Sequence, residues 1–195
     1  MKNTILPILC VLITTLMIAA IPTEAEYEVY TETVRLHILA NSDSEEDQKT
    51  KLELRDAILC KFGVELKSLS SAKEASEELS SLLPKIEKFA EDELKRKGTP
   101  NEVKAYVSTE WYETREYEAF TLPCGYYTSL KVIIGEGKGK NWWCVMFPPL
   151  CLDIACESEK LDTAPGYSTA VNDLISPSGY NCKFKILELL SSLAK

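Results

Sequence analysis

A thiol and an imidazole are the side chains here best equipped for covalent chemistry, through a cysteine nucleophile activated by a histidine base. The chain has seven cysteines and one histidine, His37. With Cys144 as nucleophile and His37 as base, it would be an exported cysteine-type hydrolase acting on peptides or cell wall. The spacing supplies no third group to orient such a pair. His37 also falls on the strand face opposite Leu36 and Ile38, where an ordinary surface or edge histidine is expected. One histidine excludes any site that needs two. The run Cys144-x6-Cys151-x4-Cys156 lacks the close CxxC pairs that clamp zinc. In Gly135-x-Gly137-x-Gly139-Lys140, a Walker loop would need glycine at 134 and Ser or Thr at 141, where the chain has Ile134 and Asn141. A dinucleotide fingerprint would need glycine in place of Lys140 and a helix after it. A flexible or bulged hairpin loop is expected there instead. The acidic run Asn41 to Asp47 has Glu46 and Leu52 where a calcium loop requires Gly and Glu. These failures predict a protein that is not an enzyme and takes no metal or cofactor.

The compartment is written in the first 25 residues. Lys2 precedes an uncharged run from Ile5 to Ile21, which as a helix would be about 26 Å long. That is slightly short of a bilayer core. Small residues near Thr23 and Ala25 follow, then Glu26-Tyr27-Glu28. Residues 1–25 therefore read as a signal peptide or membrane anchor. Residues 26–195 read as a single extracytoplasmic domain that touches the membrane only through that segment. Past Cys10, six cysteines remain, and six allow 15 pairings. Cys144 and Cys151 are the pair expected to bridge, because they flank the tight Phe147-Pro148-Pro149 stretch. Free thiols throughout are the alternative.

The 195 residues carry 22 basic and 30 acidic side chains, for a net charge of −8. That balance excludes nucleic acid as a partner, since phosphate binding needs an excess of Lys and Arg. Hydrophobic content of 45% excludes a wholly disordered chain.

Alternation of Val34, Leu36 and Ile38 with Arg35 and His37 predicts a half-buried strand over 31–40. Ser42 with Glu45 matches a capping box opening a helix with Leu54, Ala57, Ile58 and Phe62 inward. A second helix begins at Ser71 with Glu74, and Pro84 kinks it or starts a third. Lys95-Arg96-Lys97-Gly98 closes it. From Val103 the period changes to strands, continued over 116–122, 127–134 and 142–147. Residues 152–180 read as a long loop with short elements, and Phe184 to Leu190 as a closing helix. The fold class is α+β: strand, two or three helices, then an antiparallel sheet with a C-terminal helix.

Asn141-Trp142-Trp143-Cys144-Val145-Met146-Phe147-Pro148-Pro149-Leu150-Cys151 stands out. Adjacent tryptophans on a strand point to opposite faces, so only one can enter the main core. The other is covered by a loop or helix, or offered to a partner.

At this stretch the chain resembles the stage II sporulation protein R family of endospore-forming bacteria. The matching pieces are Leu36-His37-Ile38-Leu39-Ala40-Asn41-Ser42-Asp43-Ser44, Lys51-Leu52-Glu53-Leu54-Arg55-Asp56-Ala57, Thr114-Arg115-Glu116-Tyr117 and Leu122-Pro123-Cys124-Gly125. The most specific runs from Ile134 to Cys151, and Phe184-Lys185-Ile186-Leu187-Glu188 fits the C-terminal pattern. The resemblance implies a signal made in the forespore and exported into the space between forespore and mother-cell membranes. There it would activate a membrane-embedded aspartic protease that processes the precursor of mother-cell sigma factor E. The expected contact surface is the stretch from Gly135 to Cys151, with Lys140, Asn141, Trp142, Trp143 and Phe147 as partner-binding residues.

Overall fold

The computed structural model describes residues 2–117, 120–151 and 167–176. They fall into two compact units. One comprises Met1–Val29, Tyr112–Gly125 and Ser168–Lys195, the other Tyr30–Trp111 and Tyr126–Tyr167.

In the first unit, helix α1 spans Lys2–Ala20 with Pro7 inside it. Among the described residues no helix is long and apolar enough to cross a membrane. Helix α2 (Glu24–Thr31) follows at once. Thr23 and Glu26 cap it reciprocally: the Thr23 backbone N–H donates to Glu26 Oε2 at 2.7 Å, and the Glu26 N–H donates to Thr23 Oγ1 at 3.3 Å. These residues form the acidic flank of the expected export segment, where the sequence predicts no helix. Strands β3 (Arg115–Glu116) and β4 (Thr121–Leu122) form a two-residue antiparallel pair, much shorter than the continuous strand expected over 116–122. Helix α6 (Thr169–Ile175) starts at Ser168, whose Oγ accepts from the Val171 N–H. It is one of the short elements expected within the 152–180 loop. The closing helix expected over 184–190 lies outside the described residues.

The second unit is a four-stranded sheet backed by helices. Strand β1 (Val34–Leu39) leads into α3 (Glu45–Ile58), a π-helical turn (Leu59–Gly63), the short α4 (Val64–Leu66) and α5 (Ala72–Arg96). Strands β2 (Val103–Tyr112), β5 (Gly125–Ile134) and β6 (Asn141–Phe147) complete the sheet in the order β2-β5-β1-β6. β1 is parallel to β5 and antiparallel to β6. The α+β class with its antiparallel sheet is therefore as expected, with one parallel pairing, β1–β5, inside it. The 135–140 segment is not a hairpin, because β1 lies between the strands it joins.

Leu36, Ile38, Leu130, Val132 and Ile134 form one sheet face, fully or almost fully buried. They pack with the apolar stripes of α3 (Leu54, Ile58) and α5 (Ala75, Leu79, Leu82, Ile86, Ala90, Leu94). α5 runs through Pro84 as one helix of 25 residues, so no third helix starts there. Its N-cap is Ser71, which accepts from the Glu74 N–H as expected. Past its C-cap Lys97, Gly98 takes φ +79°, and the Thr99 N–H donates back to the Leu94 carbonyl. For α3 the cap is Ser44, accepting from the Asp47 N–H, rather than the expected Ser42 with Glu45. Ser42 instead donates to the Asp47 carboxylate.

Candidate functional site

The site is built on the alternation of β1. Leu36 and Ile38 turn to the helices, so Arg35 and His37 must take the opposite face. His37 pairs with Lys131 of β5 on one side and Trp143 of β6 on the other. Its Nδ1 donates to Glu110 Oε2 at 2.8 Å, and its Nε2 lies 3.0 Å from Asn141 Oδ1. The ring is pinned at both ends and stacks on Trp143 with centroids 5.5 Å apart and planes 27° apart.

Glu110, on β2, is shared. Lys131 Nζ donates to its other carboxylate oxygen at 2.6 Å. Ser129, the β5 residue between Tyr127 and Lys131 on this face, donates from its Oγ to the Ser108 carbonyl of β2. Burial opposes ionisation of Glu110 and is the largest single influence on it. Hydrogen bonds from Lys131 and His37, with their charges, together outweigh burial and hold the carboxyl below the usual range. Burial likewise opposes the Lys131 charge, but Glu110 reverses the effect and the ammonium titrates above its usual range. Beside this row, Arg35 is fully buried, with its guanidinium 5.1 Å from the centre of the Tyr127 ring.

The two tryptophans part as strand geometry requires. Trp142 pairs with Ile38, faces the helices and lies under the Arg55 guanidinium of α3 at 4.4 Å. Trp143 lies on the His37 face, and both are half-buried. Asn141 is exposed and joins the His37 row. Phe147 is buried, opposite Val34 where the register shifts. Cys144 forms a disulfide with Cys151, their Cα atoms 6.3 Å apart, and the Val145 N–H donates to Cys151 Sγ. Cys144 pairs with Leu36 and so points away from the His37 face. The nucleophile–base pair considered for a hydrolase is therefore not assembled: its sulfur is bonded and its base is on the other side of the sheet.

Lys140 has an exposed side chain, while its backbone is fastened. Its N–H donates to Asp43 Oδ1 at 2.7 Å, and its carbonyl accepts from buried Lys51 Nζ at 2.9 Å. These bonds belong to a clasp in which the 135–140 segment crosses the end of β1. The Gly139 N–H donates to the Ala40 carbonyl, the Lys138 N–H to the Asn41 carbonyl, and the Glu136 N–H to Asn41 Oδ1. A Cβ at Gly139 would overlap the Ser42 carbonyl, and one at Gly135 the Asn41 side chain. The glycines let one backbone lie directly on another, which explains a glycine pattern that is not a nucleotide loop.

Glu110 and Lys131 were not singled out by sequence. The only local signal was their placement on alternate positions of strands, which many residues share. Among the described residues, no group of three or more His, Cys, Asp or Glu side chains could hold a metal ion. The arrangement brings an aromatic stack and an ion-pair row together on one face of the sheet.

Comparison with known proteins agrees with the motifs. Residues 30–156 match the family described as stage II sporulation protein R. Over 120 residues the chain is 36% identical to the stage II sporulation protein R of Bacillus subtilis (strain 168), covering 62% of this chain. The match spans 54% of that relative's own length. No solved structure matches. The matched region holds all four strands of the sheet, both tryptophans of β6 and the clasp, and the chain belongs to the stage II sporulation protein R family.

Proposed function

We propose that this sporulation protein is an exported intercompartmental signal that activates the membrane-embedded aspartic protease processing the precursor of mother-cell sigma factor E. The observation that carries the reading is the family match across residues 30–156. The uncharged N-terminal run from Ile5 to Ile21 supports export into the space between forespore and mother-cell membranes. The contact surface is the His37–Trp143 face with Lys140 and Asn141 at its end. Trp142 and Phe147 act beneath it as supports. Tighter binding to the active form of the protease than to the inactive form would shift its population.

The test is co-expression with the protease and the sigma precursor in a host that does not sporulate. The size of the sigma factor is read on a blot. Processing that requires this chain is the expected result. Absence of processing, with all three proteins produced and this chain exported, overturns the reading. A Cys144→Ser variant that still signals removes the hydrolase alternative independently.

A further inference from the structure

The sheet has two edges, and β2 forms one of them. Its first half is covered. The Val103 N–H donates to Glu91 Oε1 and the Ala105 N–H to Glu87 Oε1, both from α5. These bonds show that the odd residues of β2 direct their backbone groups outward. From the other side, Ser129 of β5 donates to the Ser108 carbonyl, so the even residues face the neighbouring strand. Moving up α5, the next residue in the row of Glu91 and Glu87 is Leu83, which carries no acceptor. Val107, Thr109 and Trp111 thus present outward N–H and C=O groups with no partner among the described residues, and Thr109 is exposed. An uncovered strand edge is a template for another strand.

We infer that the Val107–Trp111 edge of β2 pairs, antiparallel, with the same edge of a second copy of this chain. The sequence there is self-complementary about Thr109. Placing Thr109 opposite Thr109 puts Val107 opposite Trp111, a β-branched residue against an aromatic one, and Ser108 opposite Glu110. No like charges face each other, and Glu110 is already neutralised by Lys131. All three outward residues fall in hydrogen-bonded positions, so each pair exchanges both backbone bonds. Tyr126 packs edge-on against Trp111 at 5.2 Å and is itself largely exposed, which extends the apolar border of the joint. Each chain carries a net charge of −8, so repulsion opposes the pairing and added salt strengthens it.

The test uses the full chain in a mild detergent, by sedimentation velocity across a concentration series. The wild type is expected at twice the 21.9 kDa of one chain, with the dimer favoured by salt. Thr109→Lys and Thr109→Glu each place like charges on the twofold axis and are expected to be monomeric. Mixed in equal amounts, they place Lys opposite Glu and are expected to dimerise again, which unfolded variants could not do. A wild type that stays monomeric at every concentration overturns the inference. So do single variants that remain dimeric, or a mixture that stays monomeric.

Discussion

His37 and Trp143 stand opposite each other across the β1–β6 pairing and stack with their ring centroids 5.5 Å apart. The next residue, Trp142, lies on the other face under Arg55. The two indoles are neighbours in sequence but support different things. Trp143→Ala should cost about 1 kcal/mol, the scale of one aromatic stacking contact. Trp142→Ala should cost about 3 kcal/mol, because it also opens a space between sheet and α3. Urea unfolding followed by circular dichroism measures both. If the His37 face is the recognition surface, Trp143→Ala loses sigma-precursor processing while remaining folded. A folded Trp143→Ala variant with full activity removes that face from the proposal.

The Glu110 ion pairs set a pH dependence. Its carboxyl titrates below the usual value of 4.5, so the folded state binds fewer protons than the unfolded state there. Its contribution is fully present above pH 4.5 and is lost as pH falls through the lowered value. Lys131 titrates above 10.5, so its contribution is present below that pH and is lost as pH rises through the raised value. Glu110→Gln should flatten stability at both ends and cost about 2 kcal/mol at neutral pH. Chemical unfolding from pH 3 to 11 tests it, and an unchanged acid limb in the variant would contradict the assignment.

Two glycines separate steric overlap from backbone strain. Gly139→Ala drives a methyl into the Ser42 carbonyl, and no side-chain rotation relieves it. Gly98 holds φ +79° with open space around it, so Gly98→Ala costs only the left-handed conformation, about 1 kcal/mol. The Gly139 variant should lose at least about twice as much, by the scale of forced backbone shifts in a packed core. Thermal midpoints of the two variants rank the effects, and equal shifts would refute the clasp.

The Cys144–Cys151 bridge closes an eight-residue loop. By loop-closure entropy it should contribute about 2.5 kcal/mol. The double variant Cys144→Ser/Cys151→Ser isolates it from the disulfide at Cys60. A denaturation midpoint unmoved by the double variant would show the bridge to be neutral.

Much of this was legible from local pattern. The stripe of α5, the Ser71 cap and the opposed tryptophans all follow from periodicities of 3.6 and 2. The failures share a cause. Ser42 matched the spacing of a cap, but Ser44 is one as well and lies nearer the first helical residue. Ser42 was left for the Asp47 carboxylate, which its hydrogen bond and that of Asn41 hold below the usual range. Thr23 and Glu26 showed a complete capping box, hidden because an export signal explained the same residues. The placement of β1 between β5 and β6 had no local signature. Nothing near residue 37 points to residue 110, so the ion-pair row was invisible although each of its strands was foreseen.

The crossing of the 135–140 segment over the end of β1 also fixes an order of events. The first strand has both of its sheet neighbours in residues 125–147, so the sheet is made almost wholly of contacts between distant parts of the chain. Such high contact order slows folding. A polypeptide delivered N-terminus first would present β1 long before any partner strand existed, and would stay extended until β6 emerged. That delay leaves β1 without either sheet partner until residues 125–147 are available to pair with it.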